Sequence, residues 1–422
     1  MASGQKNVIT LNDGGYSNVL IAIDRKVPEN LTIIENLKSM FTSASLRLYD
    51  ASKKHVYWKH IKILVPNTWS IQNQYSVATT ESSRSANIIV HDFPDDEPYV
   101  DNPEGCGKGA LNLMHLTPKY ILNEQYRHAK FGNTSNVLVR SWGYLRWGLF
   151  PENYVGKGVD YPLYNTSSNH GNSVIPDENR TQGTRCSLEV KGEILFPNKS
   201  NCSKNNLGFY HGDCLFFPYG DERQSESATA SLLFATRDVH INSVEGFCED
   251  DDNQSEGNRH NTEAKNLMNH MCEGNSSWKV MRDKTNDFPD YVPTVSNTTP
   301  DFEVLQVSQV RSVVLVLDIS GSMAVLGSYS KGGYILLLSD GGENASPYII
   351  ETIDEIESAG VIIDTVTISN SADQQMEDLS RNTAGRSSFC LDTGTGNCLI
   401  QQFQDTVSTR PDVGVGKHLI QV

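Results

Sequence analysis

"VRSWGYLRWGLFPE", Val139 to Glu152, holds two kinds of signal in fourteen residues. Its first half, through Trp147, is free of proline and rich in residues a helix accepts. Gly148 then offers the left-handed position at which helices commonly end, and Pro151 forbids continuation. The stretch predicts a helix running into a glycine stop and a turn, with Arg140, Ser141 and Tyr144 on the helix and Pro151 and Glu152 beyond it.

Upstream, "NVLIAI" (Asn18–Ile23) is nearly all apolar, as expected of a strand covered on both faces. A helix should follow, with Pro28 in its first turn and Leu31, Ile34, Leu37, Phe41, Ala44 and Leu48 as one apolar stripe. "HVYWKHIKILVP" and "ANIIVHDF" predict further strands, so that residues 1–160 form a mixed α/β domain.

Downstream the texture changes. Residues 161–285 are rich in Asn, Ser and Gly and hold five of the eight cysteines, which predicts an irregular, disulfide-tied subdomain with a short helix at "ATASLLF" (Ala228–Phe234). The proline-bearing segment 286–303 predicts a linker. Strand-like runs "SVVLVLDIS", "GYILLLSDGG" and "GVIIDTVTIS" follow in 304–408. A helix between the last two is capped by Ser346, opened by Pro347 and ended by Gly360. This alternation predicts a doubly wound parallel sheet. Residues 409–422 are expected to begin a further domain.

Composition narrows the function. With 51 acidic against 35 basic residues the net charge is −16, which disfavours nucleic acid and anionic lipid and favours cations. The acidic run Glu249–Asp252 is expected to be a solvated loop. Eight cysteines without a CxxC pair suit disulfides in an oxidising compartment better than zinc ligation. Sequons at Asn30, Asn133, Asn165, Asn179, Asn198, Asn201, Asn253, Asn275, Asn297 and Asn344 agree. The first residues show no basic region followed by an apolar one, so no signal peptide is expected in this chain, and no apolar run approaches the roughly 20 residues of a membrane span.

"DISGS" (Asp318–Ser322) ends a buried strand with an acid and two hydroxyls, and Asp340 follows another. Asp318, Ser320, Ser322 and Asp340 are oxygen ligands at the carboxyl edge of a sheet, suited to Mg²⁺ or Ca²⁺. They resemble the metal site of von Willebrand factor A domains, which adds a threonine from a middle loop. Only 17 residues separate Ser322 from Asp340, too few for that loop and the strands around it. The resemblance therefore implies a truncated A domain that binds its cation weakly or not at all.

"RSWGYLRWGLFPE" resembles the zincin-like metalloprotease helix of the calcium-activated chloride channel regulator family, HExxH followed by a glycine and an acid. Arg140 and Tyr144 stand at the histidines, Ser141 at the glutamate, Gly148 at the glycine and Pro151 at the acidic ligand, with Glu152 retained beside it. Two imidazoles four residues apart grip one zinc while the glutamate activates its water; Arg140 and Tyr144 do neither, so zinc is not expected. "CGKGALNLMHLTPKYIL", "ATASLLF", the cysteines and the A-like segment resemble the same family in the same order, over most of residues 8–408. No i, i+4 histidine pair offers a replacement zinc site. Histidines such as His115 and His128 are expected to be structural or exposed, and no nucleophile elbow or phosphate loop occurs.

The resemblance implies a non-catalytic, extracellular regulator that contacts a calcium-activated chloride channel or a matrix protein. A zinc metallopeptidase is disfavoured by the lost motif, and a misassembled product is the remaining alternative.

Overall fold

The computed structural model describes residues 7–101, 105–109, 113–166, 181–206, 209–220, 223–224, 229–235, 244–250, 259–306, 313–317, 334–339, 348–358, 360–368 and 374–390, with 398 and 402. Strand β1 (Val19–Ile23) is buried at every residue, the covering on both faces that its apolar run requires. Helix α1 (Thr32–Ala51) lies against the sheet through Ile34, Leu37, Phe41, Ala44 and Leu48. The stripe holds from Ile34 onward. Leu31 falls at the N-cap and is 44 % exposed, and Pro28 precedes the helix instead of opening it.

Around β1 assemble β2 (His60–Val65), β3 (Ser76–Val77), β4 (Ile88–Val90), β5 (Tyr99–Val100), β6 (Met114–Leu116) and, after a long excursion, β7 (Asp301–Gln306). The order is β3-β7-β2-β1-β4-β6-β5, parallel except for the antiparallel edge strand β5. β7 inserts between β3 and β2, pairing Asp301 with His60 through Gln306 with Val65. The end of the segment expected to be a linker is thus a central strand of the N-terminal sheet. The backbone hydrogen bonds β2 offers on that side find their partners only there.

The cysteine-rich segment shares this core. Ala230, Leu232, Leu233, Phe247, Leu267 and Met268, with Val280 and Met281 of helix α3 (Ser277–Lys284), pack in one cluster with Tyr16, Phe41, Trp58 and Trp142. Helix α2 (Thr134–Trp147) crosses α1 within that cluster, with Trp142 edge-on to Trp58 at 5.2 Å and to Tyr16 at 5.0 Å. Four disulfides pair all eight cysteines: Cys106–Cys272, Cys186–Cys248, Cys202–Cys214 and Cys390–Cys398. The first joins the approach to α2 to the turn before α3 and closes a span of 166 residues.

A second sheet follows, built from β8 (Val313–Leu317), β9 (Tyr334–Ser339), β10 (Ile362–Ile368) and β11 (Ser387–Cys390), all parallel and in chain order. β8 pairs directly with β9, Val313 with Tyr334 through Leu317 with Leu338. Helices α4 (Ile349–Ser358) and α5 (Gln374–Asn382) share one cluster with Leu337 and Ile363. Right-handed crossovers between strands added in one direction put their helices on one face. On the opposite face Leu336, Val366 and Cys390 form a smaller cluster. Mixed α/β architecture with several sheets and disulfides is therefore what the chain adopts.

Candidate functional site

Helix α2 begins at Asn133, whose side chain accepts the Asn136 N–H, and ends at Gly148, φ 58° and ψ 40°. Leu149 N–H reaches back to Gly143 O at 3.2 Å, closing a Schellman-type stop. A Cβ on Gly148 would lie 2.4 Å from the Lys108 nitrogen, so both the backbone conformation and the close approach require glycine.

The helix is buried on nearly all sides, and Arg140, Ser141 and Tyr144 stand at the positions set against HExxH. Arg140 is 8 % exposed and its Nη2 lies 3.3 Å from Glu97 Oε1. The residue set against the first motif histidine is thus a cation paired with a carboxylate. Next to Glu97, Asp96 accepts from Lys119 Nζ at 2.7 Å and from the Tyr126 hydroxyl at 2.9 Å. The Lys119 bond, with that of Tyr126, outweighs desolvation and holds the Asp96 carboxyl below its usual range. Ser141 is buried, with no hydrogen-bond partner for its hydroxyl among the described residues. Tyr144 is half-buried and packs against the core. An arginine, a serine and a tyrosine on this face have neither the paired imidazole nitrogens nor the carboxylate base that zinc hydrolysis uses.

Beyond the stop, Pro151 accepts the Met268 N–H at 3.2 Å through its carbonyl. Glu152 is fully buried and turned elsewhere. Its carboxylate lies within 4.8 Å of the sulfurs of Cys186 and Cys248, which are bonded to each other and offer no thiolate to a metal. Burial pushes the Glu152 carboxyl up to about 7; the hydroxyls of Ser231 and Ser277 pull the other way but fall short of hydrogen-bonding geometry.

The strongest local network is one that the motif pattern did not single out. Arg146 on α2 donates to Asp287 through Nε at 2.8 Å and Nη2 at 2.7 Å. Asp287 Oδ2 also accepts from the Tyr16 hydroxyl at 2.6 Å and from Trp147 Nε1 at 3.0 Å. Burial alone would pull the Arg146 guanidinium down, but its bonds to Asp287 outweigh it and hold the group above its ordinary range. Asp287 sits in the stretch expected to be a linker, and a lone Asp beside Phe288 and Pro289 carried no signal of this role. Asp318, Ser320, Ser322 and Asp340 lie outside the described residues, as do Ser346 and Pro347.

Among the described residues no helix is long and apolar enough to cross a membrane. No solved structure matches the chain significantly. The family model "Calcium-activated chloride channel N terminal" matches residues 9–295, which hold every strand of the N-terminal sheet except β7. The human calcium-activated chloride channel regulator 2 is 35 % identical over 75 % of this chain and 31 % of its own length. The human regulator 1 is 29 % identical over 94 % of this chain and 49 % of its own. This chain thus spans half or less of the length of these relatives. The alignment with regulator 1 runs 487 positions against a chain of 422 residues, so at least 65 positions of that relative have no counterpart here. With the family model covering well over half of the sequence and both relatives bearing the same description, the chain belongs to the calcium-activated chloride channel regulator family.

Proposed function

We propose that this protein is a non-catalytic member of its family that acts by extracellular contact with a calcium-activated chloride channel or a matrix partner. The observation that carries the non-catalytic part is the Arg140–Glu97 ion pair, with Ser141 and Tyr144 beside it, in place of two imidazoles and a base. The regulatory part rests on the relatives, which are named as channel regulators. Eight cysteines joined in four disulfides favour an oxidising compartment. In the A-like segment, Asp318, Ser320, Ser322 and Asp340 are proposed to hold Mg²⁺ or Ca²⁺ more weakly than a complete site, because a coordinating loop is lacking.

The test has two arms. Purified protein should show no chelator-sensitive peptidase activity and no autocleavage; either would overturn the non-catalytic reading. The chain, exported behind an added signal peptide, should alter a calcium-activated chloride current or bind matrix in a cell-surface assay. Failure of both would leave the second reading, a misassembled product, which the missing 65 or more positions favour. Transcripts read across Ser322–Asp340 separate the two, since a longer segment there marks this sequence as incomplete.

A further inference from the structure

The parallel sheet brings together two histidines that are 24 residues apart in sequence. His91 follows β4 at its carboxyl end, the edge at which open α/β sheets place their ligands, and His115 lies in the middle of the neighbouring strand β6. His91 Nε2 is 2.8 Å from His115 Nδ1. His115 Nε2 is 3.1 Å from Asp101 Oδ1, just past edge strand β5.

Asp101 decides the protons. A carboxylate accepts, so His115 carries its hydrogen on Nε2 and turns the bare lone pair of Nδ1 toward His91. This carboxylate–histidine relation is the outer shell that orients metal-binding imidazoles and raises their basicity. The ring is held from the side as well: Tyr99 stacks on His115 at 4.2 Å and 4°, and Phe93 packs edge-on against Tyr99 at 5.0 Å. His115 is 8 % exposed while His91 is half-buried, so the pair is rigid at one end and reachable at the other.

We propose that His91 and His115 form a binding site for a late first-row divalent transition ion, nickel, copper or zinc, with water at the open positions. With metal–nitrogen bonds of about 2.0–2.1 Å, two cis ligands stand ~2.9 Å apart in a tetragonal site and ~3.3 Å apart in a tetrahedral one. The observed 2.8 Å is close to these separations, but in the hydrogen bond His91 Nε2 lies on the lone-pair axis of His115 Nδ1, so binding needs the more accessible His91 ring to swing aside until both lone pairs converge on the ion. In the empty site His91 donates its Nε2 hydrogen to His115. On binding, that hydrogen moves to Nδ1 of the same neutral ring, and both lone pairs face the ion. The net charge of −16 favours cations over anions at the surface. Neither ligand lies on the motif helix: His115 is in β6 and His91 is the residue after β4.

The full chain, free of any histidine tag and treated with chelator, is titrated with Zn²⁺ and with Ni²⁺ by calorimetry. One ion per chain is expected, lost in His91→Gln and in His115→Gln, weakened roughly 10–100-fold in Asp101→Asn, and unchanged in His128→Gln, which alters an exposed histidine elsewhere. Melting curves show which variants remain folded. Because His115 is buried, a second measurement uses the wild type: substoichiometric Cu²⁺ should give an EPR spectrum with nitrogen coupling from two imidazoles. Binding that survives loss of both histidines, no binding above that of the double variant, or a spectrum with one nitrogen or none overturns the proposal.

Discussion

Replacing Asp287 by alanine should be among the most damaging single changes in the N-terminal region. Four hydrogen bonds converge on its carboxylate, two from Arg146 and one each from Tyr16 and Trp147. The Asp287 side chain is 5 % exposed and that of Arg146 23 %. Removing the acid leaves a largely desolvated guanidinium without its counter-charge, which costs about 3–5 kcal/mol. The Tyr16 hydroxyl loses its acceptor, while Trp147 Nε1 keeps a second one in that hydroxyl at 3.2 Å. At about 2–4 °C per kcal/mol for a large domain, the melting temperature should fall by on the order of 10 °C. Asp287→Asn retains an acceptor oxygen and should fall by less. The control is Arg282→Ala, which breaks an ion pair whose members are 58 % and 44 % exposed and should cost no more than about 1 kcal/mol. Differential scanning fluorimetry of the three variants is sufficient. If Asp287→Ala melts together with Arg282→Ala, the clamp does not hold α2 to the core and the argument fails.

Glu152→Gln should flatten the dependence of stability on pH. The folded-state value of about 7 lies above the ordinary 4.5, so the contribution of Glu152 is fully present below about pH 4.5 and is lost as pH rises through 7, by roughly 3 kcal/mol; melting temperatures from pH 4 to 8 that stay parallel in the two proteins would contradict this. Removing Cys106–Cys272 should cost more than removing Cys202–Cys214, about 5 against about 3 kcal/mol from loop closure alone, because the spans are 166 and 12 residues; equal denaturant midpoints for the paired alanine variants would count against the entropic account. Arg140→Ala removes the guanidinium from a largely buried ion pair and should destabilise by about 1.5–3 kcal/mol, with Glu97→Ala comparable. A double variant less damaging than the sum of the singles is expected from a coupled pair, and strict additivity would show that they do not interact.

Much of the fold could be read where the signal is local. The apolar run of β1, the periodicity of α1 after Ile34 and the stop at Gly148 depend on neighbours a few residues away, and the structure has all three. The long-range partnerships were not legible. "DFEVLQ" follows a proline-bearing stretch and has no turn tying it to a neighbour, so nothing local announces that it pairs with residues 60–65. The Asp287 clamp and the His91–His115 pair are likewise made by chain segments that meet only once the sheet has formed. At the motif helix, the sequence shows that positions 140 and 144 are not histidines, but not that Arg140 finds Glu97, which lies 43 positions earlier.

The placement of β7 has a consequence for synthesis on the ribosome. β2 and β3 lie close together in sequence, yet the slot between them is filled by a strand made about 240 residues later. At about 5–20 residues per second, the nascent chain carries an open flank on β2 for roughly 10–50 s. Throughout that interval an unpaired, apolar strand is available to any passing extended segment. Chaperone dependence and sensitivity to translation rate should therefore track the delivery of residues 301–306, and a nascent chain halted before them should aggregate more readily than one halted just after.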